Sequence, residues 1–370
     1  MHRVLAIIER DIRKFMRSPA LILVSMFFPL VQLVILGYAF GGKIQNLEVG
    51  VVDQDRALES VKLREMFGAI AANARTFVTV DYTDPTRALT DLRNGKINAV
   101  LNIPPGFSRR VLSKDLPEVA LIEDNTDNFA VSALQGALAD LLGAFGKGPV
   151  QPRIGAAATL SVVEIYPYVP YIQYLLPGTI VLAIFVAAMI GGGIIYIDDK
   201  ARGLHEGYLV TPISKFELIL GFNLSGALKA FLAGLVLATF GAVIAGIPNP
   251  MAPGRLLKLL LVIVATALAL ISMMFMMMVR VSDPLVPRAT FGVLNTLLYF
   301  PSGAVYPVYG FPKWMRVLSS VDPFTYAVEA FKGLLLKNTP LTAIAADLAF
   351  LFAFTAVMLY LSTALFRRTL

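Results

Sequence analysis

Two histidines, three Gly-Lys pairs, four aspartates and a lysine inside an apolar run are the residues of this chain that could carry chemistry. His2 and His205 are far apart and show no metal-ligand spacing, and no metal site is expected. No histidine falls between Lys43 and Glu164, which excludes a histidine-based triad from that stretch. The chain has no cysteine, which excludes disulfides, zinc–thiolate sites and iron–sulfur clusters. Asp53, Asp55, Asp124 and Asp127 could form a cation site. The preferred reading is that they end strands and start turns, where a carboxylate bonds nearby backbone. Gly42-Lys43, Gly95-Lys96 and Gly146-Lys147 are not followed by Ser or Thr, so none is the end of a phosphate-binding loop. Gly191–Gly193 lies in an apolar run and reads as a kink or a close helix contact. Lys229 is either functional or, as the preferred reading, snorkels toward the nearer membrane surface. Met273–Met278 could be an adaptable substrate surface, but packing is preferred.

The elements that must position these residues are mostly apolar. The chain is 57% hydrophobic and 15% charged, against about 25% charged for soluble domains. Apolar runs cover Pro19–Phe40, Leu175–Ile197, Leu218–Gly246, Leu256–Val279, Phe291–Val308 and Leu341–Phe366. A bilayer core needs about 20 helical residues. The expected fold is therefore a polytopic α-helical membrane protein of six spans. Pro19–Phe40 is too long for a signal-peptide core and reads as a retained span.

Charge distribution orients the spans. Lys43–Glu164 holds 13 Lys+Arg against 15 Asp+Glu, and the rest holds 19 against 10. The positive excess belongs to the membrane part, which argues against nucleic-acid binding. Arg3, Arg10, Arg13, Lys14 and Arg17, loop 198–216, loop 280–290 and Arg367-Arg368 all fall on one side, which the positive-inside rule makes the cytoplasm. Residues 2–17 alternate apolar and charged residues at helical spacing and read as an interfacial amphipathic helix with its arginines toward headgroups.

Between the first two spans, residues 42–170 read as an extracytoplasmic α/β domain. Strands are expected at Glu48–Asp53, Thr76–Tyr82, Ala99–Ile103 and Val119–Glu123. Helices are expected at Leu58–Ala72, Pro85–Asn94, Pro105–Leu112 and Asn128–Phe145. Asp84-Pro85 is an N-cap with proline at the first helical position, and Gly95 is a C-cap. Gly146–Arg153 reads as a joint. Loop 198–217 carries Gly203, Gly207 and Pro212; it is either a docking surface for a soluble partner or a plain turn. Pro301, Pro307, Pro312 and Pro323 forbid one helix through 300–337, so broken or re-entrant helices are expected there, covered by protein or lining water.

Four segments together resemble the permease subunit of ABC type-2 exporters, in the branch with a large domain between spans one and two. Arg13–Pro19 (RKFMRSP) resembles the basic lead-in to the first span. Ala99–Ser108 (AVLNIPPGFS) resembles the outer-domain signature. His205–Gly221 (HEGYLVTPISKFELILG) resembles the coupling segment, with Tyr208 where relatives commonly carry Thr. Pro301–Lys332 resembles the re-entrant region, with Pro301, Pro307, Pro323 and Glu329 in it.

The resemblance implies that two permease copies, or a copy and a paralogue, pair in a bacterial inner membrane. Separate cytoplasmic ABC ATPase subunits would dock on Glu206, Gly207, Tyr208, Thr211 and Pro212, binding ATP and Mg themselves. This chain would hold no cofactor. A periplasmic adaptor is a further implied partner. Phe27, Phe28, Tyr38, Asn295 and Tyr299 are candidates for a pathway taking drug-like amphiphiles or lipids. The alternative function is a membrane-anchored receptor or scaffold whose outer domain binds a ligand or phage, although one span would suffice for it. An ion-coupled transporter would show repeats and more buried charge than Lys229.

Overall fold

A computed structural model describes residues 2–41, 47–74, 77–113, 115–123, 128–145, 169–203, 211–250, 252–281, 283 and 285–366. The chain divides into two compact units, 42–163 and the remainder.

The unit at 42–163 contains β1 (Leu47–Asp53), α3 (Leu58–Ala74), β2 (Phe77–Tyr82), α4 (Pro85–Arg93), β3 (Ala99–Ile103), α5 (Phe107–Ser113), β4 (Ala120–Glu123) and α6 (Asn128–Phe145); α1 and α2 belong to the other unit. The sheet order is β2-β1-β3-β4. β1 pairs in parallel with β2 and β3, and β4 runs antiparallel to β3. Strand periodicity sorts the side chains. Val49, Val51, Ala99, Leu101 and Ile103 face one core with Leu63 and Phe67 of α3, Phe107 of α5 and Leu141 of α6. Val52 and Val100 face the other, against Ala88 and Leu92 of α4. Phe67 stacks on Phe77 at 4.2 Å between centroids.

The caps follow the residues that encode them. Asp84 accepts from the Thr86 amide, Pro85 opens α4, and Gly95 follows the helix at φ +69°. Asp53 accepts from the Asp55 and Arg56 amides and from the Ser60 hydroxyl. Asp55 accepts from the amides of Gly106 and Ser108. Both aspartates thus bind backbone, as turn residues do. Lys96, of the second Gly-Lys pair, is ion-paired with Asp91 at 2.9 Å. Asp124, Asp127, the Gly146–Arg153 joint, Lys43 and Lys147 lie outside the described residues.

The other unit is helical: α1 (His2–Met16), α2 (Pro19–Gly41), α7 (Tyr171–Ala188), a π turn (Met189–Ile194), α8 (Ile195–Ala201), α9 (Lys215–Val236), a second π turn (Leu237–Gly241), α10 (Ala242–Ile244), α11 (Pro253–Met278), α12 (Leu285–Tyr299), α13 (Lys313–Val321), α14 (Pro323–Leu336) and α15 (Ala345–Leu365). Among the described residues, five helical stretches are long and apolar enough to cross a membrane: Ile22–Ala39, Tyr171–Ala201, Lys215–Ile244, Pro253–Met278 and Leu341–Leu365. The expected fifth run, Phe291–Val308, is not one helix. α12 begins six residues earlier and stops at Tyr299; at 1.5 Å per residue it reaches about 22 Å. A turn occupies 300–306, and Pro307 precedes a single 3₁₀ turn, Val308–Gly310. Met273, Met274 and Met278 are buried, so that run packs in the core.

Polar contacts define two ends of the bundle. At one end, Lys200 donates to the Val281 carbonyl (2.9 Å), Lys215 to Phe366 (3.3 Å) and Arg280 to Leu365 (3.3 Å). Cations there cap the C-termini of α11 and α15, where exposed carbonyls and the helix dipole favour them. At the other end, Gln173 donates to the Ala245 carbonyl (3.0 Å), Tyr174 to Gly303 (3.2 Å) and Lys258 to Thr339 (3.2 Å).

The α/β unit carries its own two-sided core, so residues 44–165 expressed alone are expected to unfold cooperatively; a protease-sensitive product lacking a melting transition would contradict this. The hydrogen bonds from Ser108 and Gly106 hold the Asp55 carboxyl below its ordinary value of 3.8. A lowered native value stabilises above pH 3.8 and loses that contribution as pH falls through the native value. Asp55→Asn is therefore expected to cost stability at pH 6 and to flatten the loss on acidification below pH 4, read by denaturant titration.

Candidate functional site: a charged clasp at one end of the bundle

α1 has apolar residues at helical spacing with one acid among them. Ile7, Asp11 and Phe15 are the buried residues of this helix, one turn apart on a single face. That face packs on α9, where Ile7 lies against Gly221. Asp11 faces Lys229, and the Lys229 ammonium bonds the Asp11 carboxylate at 2.5 Å and the Gly191 carbonyl at 2.5 Å. Ser225, one turn earlier on α9, donates to the same carboxylate oxygen at 2.6 Å. Phe15 places its ring 5.6 Å from the ammonium. Lys229 is 1% exposed. The preferred sequence reading, a snorkelling lysine, is thus overturned: the side chain turns inward to a carboxylate and a backbone carbonyl.

The carbonyl belongs to the three-glycine segment. Residues Met189–Ile194 form a π turn, which widens the helix and releases carbonyls from the ordinary ladder. A Cβ at Gly191 would lie 2.7 Å from Lys229 Cδ, and one at Gly192 would lie 2.0 Å from Ile271 Cδ1. Only glycine admits both neighbours.

The polar flank of α1 is also engaged. Asp199, 1% exposed at the end of α8, pairs with Arg10 at 2.9 Å and Lys14 at 2.5 Å. Arg3 donates to the Pro212 carbonyl and lies 3.8 Å from Glu217. Glu217 and Ser214 form a capping box that opens α9. So Arg3, Arg10 and Lys14 point at protein carboxylates and a carbonyl, which corrects the expectation of an α1 whose cations all face lipid headgroups. Arg13 pairs with Glu9 within α1.

Of the expected coupling residues, Thr211 and Pro212 fall at this end, half-buried and exposed respectively. Glu206, Gly207 and Tyr208, and with them His205, lie outside the described residues. Of the expected pathway residues, Phe27, Phe28 and Tyr38 are exposed on α2, and Phe27 borders an apolar groove of about 430 Å³ shared with Phe240 and Ile244. Asn295 is half-buried, while Tyr299 is buried in the helical core. In the proline-rich region, Pro301 is buried, Pro307 precedes the 3₁₀ turn, and Pro323 follows the N-cap Asp322. Glu329 is exposed on α14. Sequence reasoning missed Asp11 and Asp199. The signal for Asp11 was available: an acid between Ile7 and Phe15 on the apolar stripe needs a buried cation, and Lys229 was the candidate.

A family model described as "ABC-2 family transporter protein" matches residues 19–364. The chain is 24% identical over 374 residues to a protein named probable multidrug ABC transporter permease YbhR, from Escherichia coli K12, covering 99% of each. It is 21% identical to YbhS of the same organism, also named a probable multidrug ABC transporter permease, over 96% of this chain and 94% of that one. It is 22% identical to ABC transporter G family member 20 of Dictyostelium discoideum, over 92% of this chain and 47% of that longer protein.

Removing one partner of a buried pair leaves the other uncompensated, at about 3–5 kcal/mol. Lys229→Ala and Asp11→Ala are each expected to lower the thermal stability of the detergent-solubilised protein. The Asp11→Ala/Lys229→Ala double variant should lose less than the sum of the two. Additive losses in this cycle would show that the two side chains do not interact.

Proposed function

The chain belongs to the ABC-2 family of transporter proteins, and we propose that it is the permease subunit of an ATP-driven exporter whose ATP is hydrolysed on separate chains. As an ABC permease it is a multi-pass membrane transport protein rather than a catalyst. Our reading goes further. The clasp end faces the cytoplasm and receives an ABC ATPase subunit, which binds ATP and Mg, while this chain needs no cofactor. Both chain termini then lie inside. The insertion 42–170 lies outside, as Gly37 of α2 packs on Ile172 at the end remote from the clasp. Two permeases, identical or paralogous, enclose the pathway in a bacterial inner membrane, and a periplasmic adaptor can extend it.

One observation carries this reading. The N-terminal helix, the end of α8 and the start of α9 are tied together by Arg3, Arg10, Lys14 and Asp199, and in sequence the segment resembling a coupling loop joins the last two. A partner pressing on residues 204–212 therefore pushes on elements bonded through Lys229 to the middle of the bundle. The E. coli relatives named as multidrug permeases and the exposed aromatic face of α2 support amphiphilic, drug-like or lipid-like cargo. Glu206, Gly207, Tyr208, Thr211 and Pro212 form the coupling contact in this proposal.

Purification in mild detergent is expected to retain a stoichiometric ATPase. Glu206→Arg should abolish substrate-stimulated ATP hydrolysis in the reconstituted complex, and normal stimulation would refute the coupling role. The cysteine-free chain suits topology mapping. Single cysteines replacing Asp84 and His205 should be labelled from opposite faces, and labelling from one face would overturn the orientation.

A further inference from the structure

A cavity of about 820 Å³ opens at the end of the bundle remote from the clasp. α14 presents Glu329, Lys332, Gly333 and Leu336 to it, at the i, i+3, i+4, i+7 spacing of one helix face. Asp347, in the first turn of α15, closes it from the side, and Lys337 and Arg316 complete its charged lining. Lys332 is already engaged: it donates to the Gly303 carbonyl at 2.6 Å and stands 3.8 Å over the Tyr174 ring. Glu329 sits one turn before Lys332 on the same helix face, where opposite charges attract. Among the described residues, the side chains of Glu329, Asp347, Lys337 and Arg316 make no salt bridge or hydrogen bond. Glu329 of α14 and Asp347 of α15 line the same cavity. The buried hydroxyl of Thr339, on the same wall, also has no partner.

Three cations and two carboxylates thus line one pocket, and Lys332 is the one whose side chain is already held by a protein carbonyl. A single-charge ligand would satisfy one set and leave the other. A ligand with an ammonium and a phosphate a few ångströms apart satisfies both. The surroundings are those of a membrane interface: Tyr309 (85% exposed), Trp314 (69%) and Val317 (68%) project beside the cavity from the 3₁₀ turn and α13, and aromatic residues of this kind favour the headgroup zone.

We propose that this cavity holds the head group of a zwitterionic phospholipid of the phosphoethanolamine type. The ammonium sits between Glu329 and Asp347, and the phosphate faces Lys337 and Arg316. The site is separate from the cargo pathway and the clasp, and it requires only that the bundle lie in a bilayer.

The test uses the full-length protein in detergent, with its melting temperature followed as lipid is titrated. Phosphatidylethanolamine is expected to stabilise it at lower concentration than phosphatidylglycerol of the same acyl chains. Glu329→Gln/Asp347→Asn should weaken the phosphatidylethanolamine response about tenfold, the scale of one charge-assisted hydrogen bond, and should not weaken the phosphatidylglycerol response, since it removes two charges that repel an anionic lipid. Lys337→Glu, at an exposed position, should weaken phosphatidylethanolamine as well and serves where the double variant does not fold. Equal responses to the two lipids, or a preference that survives both variants, would overturn the proposal. So would stabilisation by dodecyltrimethylammonium with none by phosphatidylethanolamine, which would mark a site for cations. Glycerophosphoethanolamine acting as strongly as the lipid would overturn the choice of a membrane ligand.

Discussion

An ammonium and a carboxylate leave water only at a cost of several kcal/mol each, and within a bilayer no solvent returns it. The Lys229–Asp11 contact depends on every group around it being present. The ammonium has a carboxylate, a peptide carbonyl and an aromatic ring; the carboxylate has a second donor in Ser225. The helix widens at Met189–Ile194, and Lys229 fits beside the Gly191 carbonyl because residue 191 has no side chain. Three consecutive glycines, a π turn, a lysine and the placement of the N-terminal helix are therefore one structural statement. Replacing any member alters the conditions under which the others are stable.

The pair also supplies register. A shift of α1 along α9 by one turn would carry Asp11 away from Lys229. Only one register places Asp11 opposite Lys229. That same register carries Arg10 and Lys14 to Asp199 and Arg3 to Pro212. A single buried contact thus sets several contacts at the bundle end. Buried ion pairs contribute more reliably to specificity of arrangement than to net stability, and the clasp fits that description.

Much of the fold was legible because it is encoded locally. Strand alternation in Leu47–Asp53 and Ala99–Ile103, the Asp84-Pro85 helix start and Gly95 after α4 each state their own conformation within a few residues. The long apolar runs state theirs by length. What was not legible is non-local. Asp11 and Lys229 are 218 residues apart, and nothing near Lys229 shows that its partner lies on a helix outside the spans. Hydropathy also misplaced the fifth run, because Leu297, Leu298 and Val305 remain apolar across a break made by Pro301, Gly303 and Pro307. Hydropathy records solvent preference and is blind to a turn whose polar backbone is covered by protein.

That turn shows how such cover is achieved. Irregular backbone inside a membrane protein must find its hydrogen bonds within the protein. The Pro301 carbonyl takes the Ser319 hydroxyl at 2.7 Å, Gly303 takes both Tyr174 and Lys332, and Val305 takes Tyr171 at 3.2 Å. Asp322 then caps α14 by accepting from the Phe324 amide at 2.9 Å, with Pro323 at the first helical position, where its missing N–H costs nothing. The donors come from α7, α13 and α14, so each break in one helix is stabilised by its neighbours. At the clasp end the same logic runs with cations: Lys200, Lys215 and Arg280 each serve the last carbonyls of another helix. The spans are bound to one another through backbone carbonyls at both ends and through Lys229 between them. A displacement of α8 or of the start of α9 must therefore be shared among several spans.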